Sequence, residues 1–184
     1  MIPQDAHIID LGCGNGMLDY MLMMLSNKRS VLGVDYDEDK IQVAQNNSAR
    51  KQFVAGQVEF ESADLNHWEF QKADVYVLAD VLHYMPENEQ EYVIKQSVDH
   101  LNSGGMLIIR DADTSLEKKH RGTKFSEWQS TKFFGFNKTK DDNKELFFGS
   151  ASDRISLLES LGLQVELIDH TKMNSNVVII ARKG

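Results

Sequence analysis

Three glycines at alternate positions, Gly12, Gly14 and Gly16, directly follow the apolar run of Ile8, Ile9 and Leu11. Glycine loses more conformational freedom on folding than any other residue, so such a cluster signals a tight turn or a close approach to bare main chain. Here it falls between a strand pattern and a helix pattern, where the start of a helix offers unpaired N–H groups, and a nucleotide-like ligand is the natural occupant. The dinucleotide fingerprint G-x-G-x-x-G would place its third glycine at position 17, but that residue is Met17 and the glycine stands one place early at Gly16. So large a side chain argues against pyrophosphate binding.

The elements that must position this loop are legible as alternating Val/Ile-rich runs and stretches of helical spacing, the pattern of βα units around a parallel sheet. Strands are predicted over residues 7–11, 30–35, 58–61, 74–79, 106–110, 164–169 and 177–182, and helices over 17–27, 39–50, 87–101 and 153–161. In the first helix Leu18, Leu22 and Leu25 share a face, while Met17, Met21, Met23 and Met24 read as adaptable packing material. Pro86 suits the start of the third helix, Ser152 the N-cap of the fourth and Gly162 its end. Only Thr171 to Asn176 separates the last two strands, which leaves no room for a crossover helix and predicts an antiparallel hairpin. The expected fold is therefore α/β: a Rossmann-like, doubly wound seven-stranded sheet, mostly parallel with a C-terminal antiparallel hairpin, and helices on both faces. A single domain over residues 1–184 is expected. The polar, aromatic stretch at about 112–148 has weak periodicity and reads as a substrate-covering insert.

The chain has 184 residues, 41% of them hydrophobic, which suffices to bury one sizeable core. It contains no run of eighteen apolar residues and no signal peptide, so direct membrane insertion is not expected and a cytoplasmic location is. The single cysteine, Cys13, excludes an internal disulfide and a cysteine metal cluster. A net charge of −8 repels a polyanionic backbone, which makes nucleic acid an unexpected partner. Lys118, Lys119, His120, Arg121 and Lys124, with Phe125, Trp128, Phe133, Phe134 and Phe136, form a local basic and aromatic exception, read as lining an acceptor pocket or touching a partner.

The run from Asp10 to Gly16, DLGCGNG, resembles the first motif of class I S-adenosylmethionine-dependent methyltransferases. The likeness extends along most of the chain. Val31 to Asp35 resembles that family's second strand, Phe60 to Leu65 its third, Ala73 to Met85 its fourth-strand motif and Leu101 to Ile109 the passage into its fifth strand. The resemblance implies S-adenosylmethionine as cofactor and S-adenosylhomocysteine (SAH) as product. It places Asp10, Gly12, Cys13, Gly14 and Gly16 under the methionine end, Asp35 at the ribose with Tyr36 against the adenine, Asp64 and the backbone of Leu65 at the adenine amine, and Ala79 and Asp80 as further contacts. The chemistry agrees: ribose hydroxyls donate to a carboxylate, and a sulfonium with an ammonium favours an acid-rich pocket over one built for phosphate.

His83 and Tyr84, just after Asp80, resemble residues lining the methyl-transfer side, and His83 is the first choice of base because histidine titrates near neutrality. Tyr84, Asp111 and His120 follow it. A Mg²⁺ site at Asp80, Asp111 and Asp113 is chemically conceivable, since hard cations take oxygen ligands, but no metal is assigned. The sequence Asp80-Val-Leu-His lacks the Pro-Pro-aromatic signature of amino-directed nucleic-acid enzymes, which favours a small-molecule or lipid-like acceptor. The first strand starts near residue 7, without the helices that usually close over the cofactor. Similar domains end bacterial multidomain membrane proteins, so covalently joined neighbouring domains, and a place as the cytoplasmic domain of a membrane-associated protein, are further expectations. The alternatives are a non-catalytic S-adenosylmethionine-binding or regulatory module and an NAD(P)-dependent oxidoreductase, against which Met17 and the terminal hairpin count.

Overall fold

The computed structural model describes residues 2–49, 57–113, 146–168 and 176–184. Seven strands, β1 (His7–Leu11), β2 (Ser30–Asp35), β3 (Val58–Ser62), β4 (Ala73–Ala79), β5 (Leu101–Ala112), β6 (Gln164–Ile168) and β7 (Asn176–Arg182), form one sheet in the order β3-β2-β1-β4-β5-β7-β6. The strands from β3 to β5 pair in parallel, and β7 runs antiparallel to both β5 and β6, as the short connection predicted. Strand order reverses between β1 and β4, so a crevice opens at their carboxyl ends, the position where open α/β sheets take ligands.

Among the described residues four helices cover the sheet: α1 (Met17–Leu25), α2 (Glu38–Ser48), α3 (Glu87–His100) and α4 (Ala151–Ser160). Because successive strand residues point to opposite faces, the core splits in two. Ile8, Val31, Val75 and Val77 pack with Leu22 and Met23 of α1 and Ile41 and Ala44 of α2. On the other face Ile9, Leu11, Tyr76, Leu78 and Ile109 pack with Val93, Ile94 and Val98 of α3 and Leu158 of α4. Each fully buried aliphatic side chain contributes about 1.5–3 kcal/mol. Among the described residues no helix is long and apolar enough to cross a membrane.

Three local expectations need correction. α1 is apolar all round, and only Asp19, Leu22 and Met23 on its sheet-facing side are buried; Met17, Met21, Met24 and Leu25 are exposed and are not packing material in this chain. The N-cap of α4 is Ser150, whose hydroxyl accepts the Asp153 N–H, and not Ser152. Strand β5 begins at Leu101, five residues early, because Ala73 pairs with Leu101 before a register shift restores pairing at Val75 and Met106. Asp74 fastens that irregularity by accepting from Asn102 Nδ2 and from the His7 N–H, both at 2.8 Å, and these bonds hold its carboxyl below the ordinary range.

Candidate functional site

The glycine loop leaves β1 at the strand-order reversal, and all three of its glycines have positive φ. At Gly12, φ is +80° and an added Cβ would stand 2.3 Å from Val81 Cγ2; at Gly16 it would stand 2.5 Å from the Phe60 ring. Both positions thus require glycine for conformation and for space. Gly14 has open space where its Cβ would be, at the mouth of the crevice. Its N–H donates to Asp35 Oδ2 at 2.8 Å, and Asp35 Oδ1 accepts from the Asp37 N–H at 2.9 Å, so the carboxylate at the end of β2 is locked against the loop. Asp37 in turn caps α2.

Beneath the loop the charge is uncompensated. Asp10 and Asp19 are 2% and 0% exposed, and Asp10 Oδ1 and both carboxyl oxygens of Asp19 have no hydrogen-bond partner among the described residues. Burial, with the neighbouring Asp19 and Asp35 charges, holds the Asp10 carboxyl well above the usual range. Burial pushes the Asp19 carboxyl up to about 7. Burial also raises the Cys13 thiol, reinforced by Asp19, Asp10 and Asp35, so this cysteine is kept protonated rather than reactive. Such a pocket is built for a cation. Tyr36 follows Asp35 and is 40% exposed, with its phenol raised to about 12 by burial and then by Asp37, Asp35 and Tyr84.

The remaining expected cofactor contacts line the same edge. Leu65 is buried in the core, while Asp64 accepts from the Asn66 N–H and pairs at 3.0 Å with the exposed His67. Ala79 ends β4, and Asp80 follows in the left-handed region with φ 56°, its N–H donated to Arg110 O and its carboxylate paired with the Arg110 guanidinium. A non-glycine residue at positive φ costs about 1–3 kcal/mol and concentrates at functional sites.

Across the crevice, a short 3₁₀ turn (Leu82–Tyr84) carries His83, which is 4% exposed. Its Nδ1 lies 2.7 Å from Asp111 Oδ1, at the end of β5, and Asp111 Oδ2 is 2.9 Å from Arg154 Nη2 on α4. Arg154 also donates to Gln90 Oε1 at 3.3 Å, and Gln90 Nε2 donates to the carbonyls of Met85 and Phe147. The Phe147 N–H donates back to His83 O, and the Phe148 ring stacks on the imidazole at 5.0 Å. Arg154 Nε and Nη1 are buried without partners among the described residues. The Tyr84 ring lies tilted at 44° against His83, with the ring centres 4.2 Å apart.

The structure thus brings Asp10, Cys13, Asp35 and the glycines into one cluster and sets His83 with Asp111 in another. Asp80, Asp111 and Asp113 do not converge: they are engaged by Arg110, by His83 with Arg154, and by the Ala151 N–H respectively, and no group of three metal-ligating side chains occurs among the described residues. His120 and the basic, aromatic run from Lys118 to Phe136 lie outside the described residues. Sequence reasoning missed Asp19, Gln90, Arg154, Phe147 and Phe148. Asp19 carried a usable signal, as the one acid in the apolar helix MLDYMLMML; Arg154 carried none, since its partners are 43 and 64 residues away.

A glycine loop at the strand reversal, a strand-end carboxylate bonded into it and an antiparallel final hairpin define a Rossmann-like fold of the class I S-adenosylmethionine-dependent methyltransferase type. A methyltransferase-domain family model matches residues 2–153, and the chain belongs to that family. It is 29% identical over 124 residues to the carboxy-S-adenosyl-L-methionine synthase of Campylobacter lari, across 64% of this chain and 50% of that protein. It is 30% identical over 112 residues to the trans-aconitate 2-methyltransferase of Agrobacterium fabrum, across 60% of this chain and 40% of that protein. The chain therefore spans half or less of the length of these relatives. Its fold also matches the magnesium protoporphyrin IX methyltransferase of Synechocystis PCC 6803 with bound SAH, at a TM-score of 0.68 and 19% identity over 96% of this chain and 74% of that one.

Proposed function

We propose that this domain catalyses methyl transfer from S-adenosylmethionine to a small-molecule acceptor. The observation that carries the reading is the buried cluster of Asp10, Asp19 and Asp35 around three left-handed glycines, which is a cradle for a cationic nucleoside and not for a phosphate. The bare loop fits the methionine end, and the unpartnered Asp10 oxygen fits its ammonium. Asp35 keeps lone pairs for both ribose hydroxyls beyond the two N–H bonds it already accepts. Tyr36 would cover the adenine, with Asp64 and Leu65 at its amine edge, and Ala79 and Asp80 would border the reacting centre.

Bound S-adenosylmethionine supplies a methyl group on a sulfonium that departs as a neutral thioether, so alignment and exclusion of water are the chain's main tasks. His83 is the proposed base. With Nδ1 engaged by Asp111, proton exchange with the acceptor falls to Nε2. Tyr84 flanks the ring and helps to shape the acceptor side. Acidic acceptors come first, because Arg154 holds two buried N–H donors without partners and a relative is named for a carboxylic acid.

The test is SAH release with a panel of small carboxylic acids, phenols and lipid-like polyenes. Turnover with a carboxylic acid, reduced about 10²–10⁴-fold in His83→Ala, is the expected result. Unchanged turnover in His83→Ala would remove its role as base. Cofactor binding with no transfer to any of the panel would instead favour a non-catalytic binding module.

A further inference from the structure

Asp19 is placed where no cofactor contact was expected. It lies in the first turn of α1, on the sheet-facing side with Leu22 and Met23, and it is wholly enclosed. An apolar position facing the core would cost nothing, whereas a buried carboxyl whose oxygens find no partner among the described residues beyond a weak approach of the main chain is expensive unless it is protonated or meets a cation. Its charge acts on Asp10 at the end of β1 and on Cys13 in the loop, so the acid sits directly behind the site proposed for the methionine end. The groups that bear on the pair are Asp10, Asp19, Asp35 and the Cys13 thiol. None of these is a cation. Tyr20, the next residue of α1, donates its hydroxyl to Ala44 O of α2 and packs edge-on against the Phe60 ring of β3.

We infer that Asp10 and Asp19 form a proton-sharing carboxyl pair, and that binding of the cofactor's ammonium displaces the shared proton. In this arrangement Asp10 meets the ligand and Asp19 acts through it, as a positioning residue that sets the charge Asp10 can present. Two enclosed carboxyls, one of whose charges acts on the other, cannot both ionise cheaply until a positive charge arrives. The burial that pushes Asp19 up to about 7 puts the exchange in the neutral range. Cofactor affinity therefore tightens as pH rises through neutrality, and below it each binding event releases a proton. The inference rests on the proposed cofactor reading and goes beyond it, since a single loop carboxylate of ordinary acidity would bind an ammonium with no such release.

The experiment is calorimetric titration with SAH at pH 6.5 and 8, in pairs of buffers that differ in ionisation enthalpy, for the wild type and Asp19→Asn. 5′-Methylthioadenosine, which lacks the amino-acid end, is the control ligand. Expected are proton release on SAH binding at pH 6.5, affinity about fourfold tighter at pH 8, and in Asp19→Asn a flatter profile with weakened SAH binding but unchanged methylthioadenosine binding. Buffer-independent heats for the wild type at pH 6.5 overturn the pair even if Asp19→Asn fails to fold. An unaltered pH profile in Asp19→Asn also overturns it. Failure of the wild type to bind either ligand would instead overturn the cofactor reading on which it stands.

Discussion

The two sides of the crevice leave opposite kinds of polar group unsatisfied among the described residues: acceptors on one and donors on the other. On the glycine-loop side, Asp10, Asp19 and Asp35 are buried with no ion pair among the described residues, and three of their six oxygens have no partner. On the other side the buried acid, Asp111, is already held by His83 and Arg154, and what is left over is a pair of N–H donors on the guanidinium. The first arrangement waits for a cation and the second for an acceptor with oxygens to offer. On the proposed function, one crevice would hold a sulfonium donor on the acceptor-rich wall beside a nucleophile with oxygens for the donor-rich wall. The contrast also separates stability from function, because the satisfied network braces α4, β5 and the 3₁₀ turn together, whereas the acid cluster opposes folding whenever it ionises.

Removing the cation from the braced side should have the largest effect. Arg154→Leu leaves Asp111 buried without its counter-charge, which costs about 3–5 kcal/mol. For a domain of this size that lowers the melting temperature by about 10 °C or more in calorimetry, while SAH still binds the folded fraction. Gly12→Ala strikes the other side. Its Cβ would overlap Val81 at a φ of +80°, and about 1–3 kcal/mol of strain together with loss of SAH binding are expected by calorimetry and titration.

Asp111→Asn keeps the shape but alters the His83 partner, so kcat should fall about 10²-fold with little change in SAH affinity, measured by single-turnover transfer. The acid cluster also has a pH signature. The Asp19 carboxyl sits near 7 in the folded chain against 3.8 ordinarily, so between those values the folded state holds a proton that the unfolded state has released. Stability then falls as pH rises from about 4 to about 7 and levels off above. Melting temperatures across that range should fall less in Asp19→Asn than in the wild type. The smallest effect belongs to His67→Ala, whose ring is 83% exposed beside Asp64, and whose loss should leave the melting temperature unchanged within error.

The loop and the sheet were legible because their signals are local. Glycines at alternate positions, strand-end acids and a short connection between β-rich runs each express geometry within a few residues. The hairpin and the doubly wound order followed from them. The braced network was not legible, since Asp111, Gln90 and Arg154 meet only after three elements have packed; Asp111 stood out as a candidate base but not as the partner of His83 and Arg154, and Gln90 and Arg154 alone read as ordinary surface residues. The exposed methionines of α1 misled for a related reason: hydrophobic spacing names the residues able to pack but not which of several apolar stripes will face the sheet. Asp19 occupies the stripe that does, and its cost becomes visible only once the burial is known.

The most direct measurement is calorimetric titration of the wild type and of Asp35→Ala with SAH and with NAD. Micromolar binding of SAH, weakened at least about tenfold in Asp35→Ala, a loss of about 1.4 kcal/mol, with no binding of NAD, is the predicted result. Binding of NAD in preference to SAH, or SAH affinity indifferent to Asp35, would contradict the assignment of the acid-lined crevice to S-adenosylmethionine.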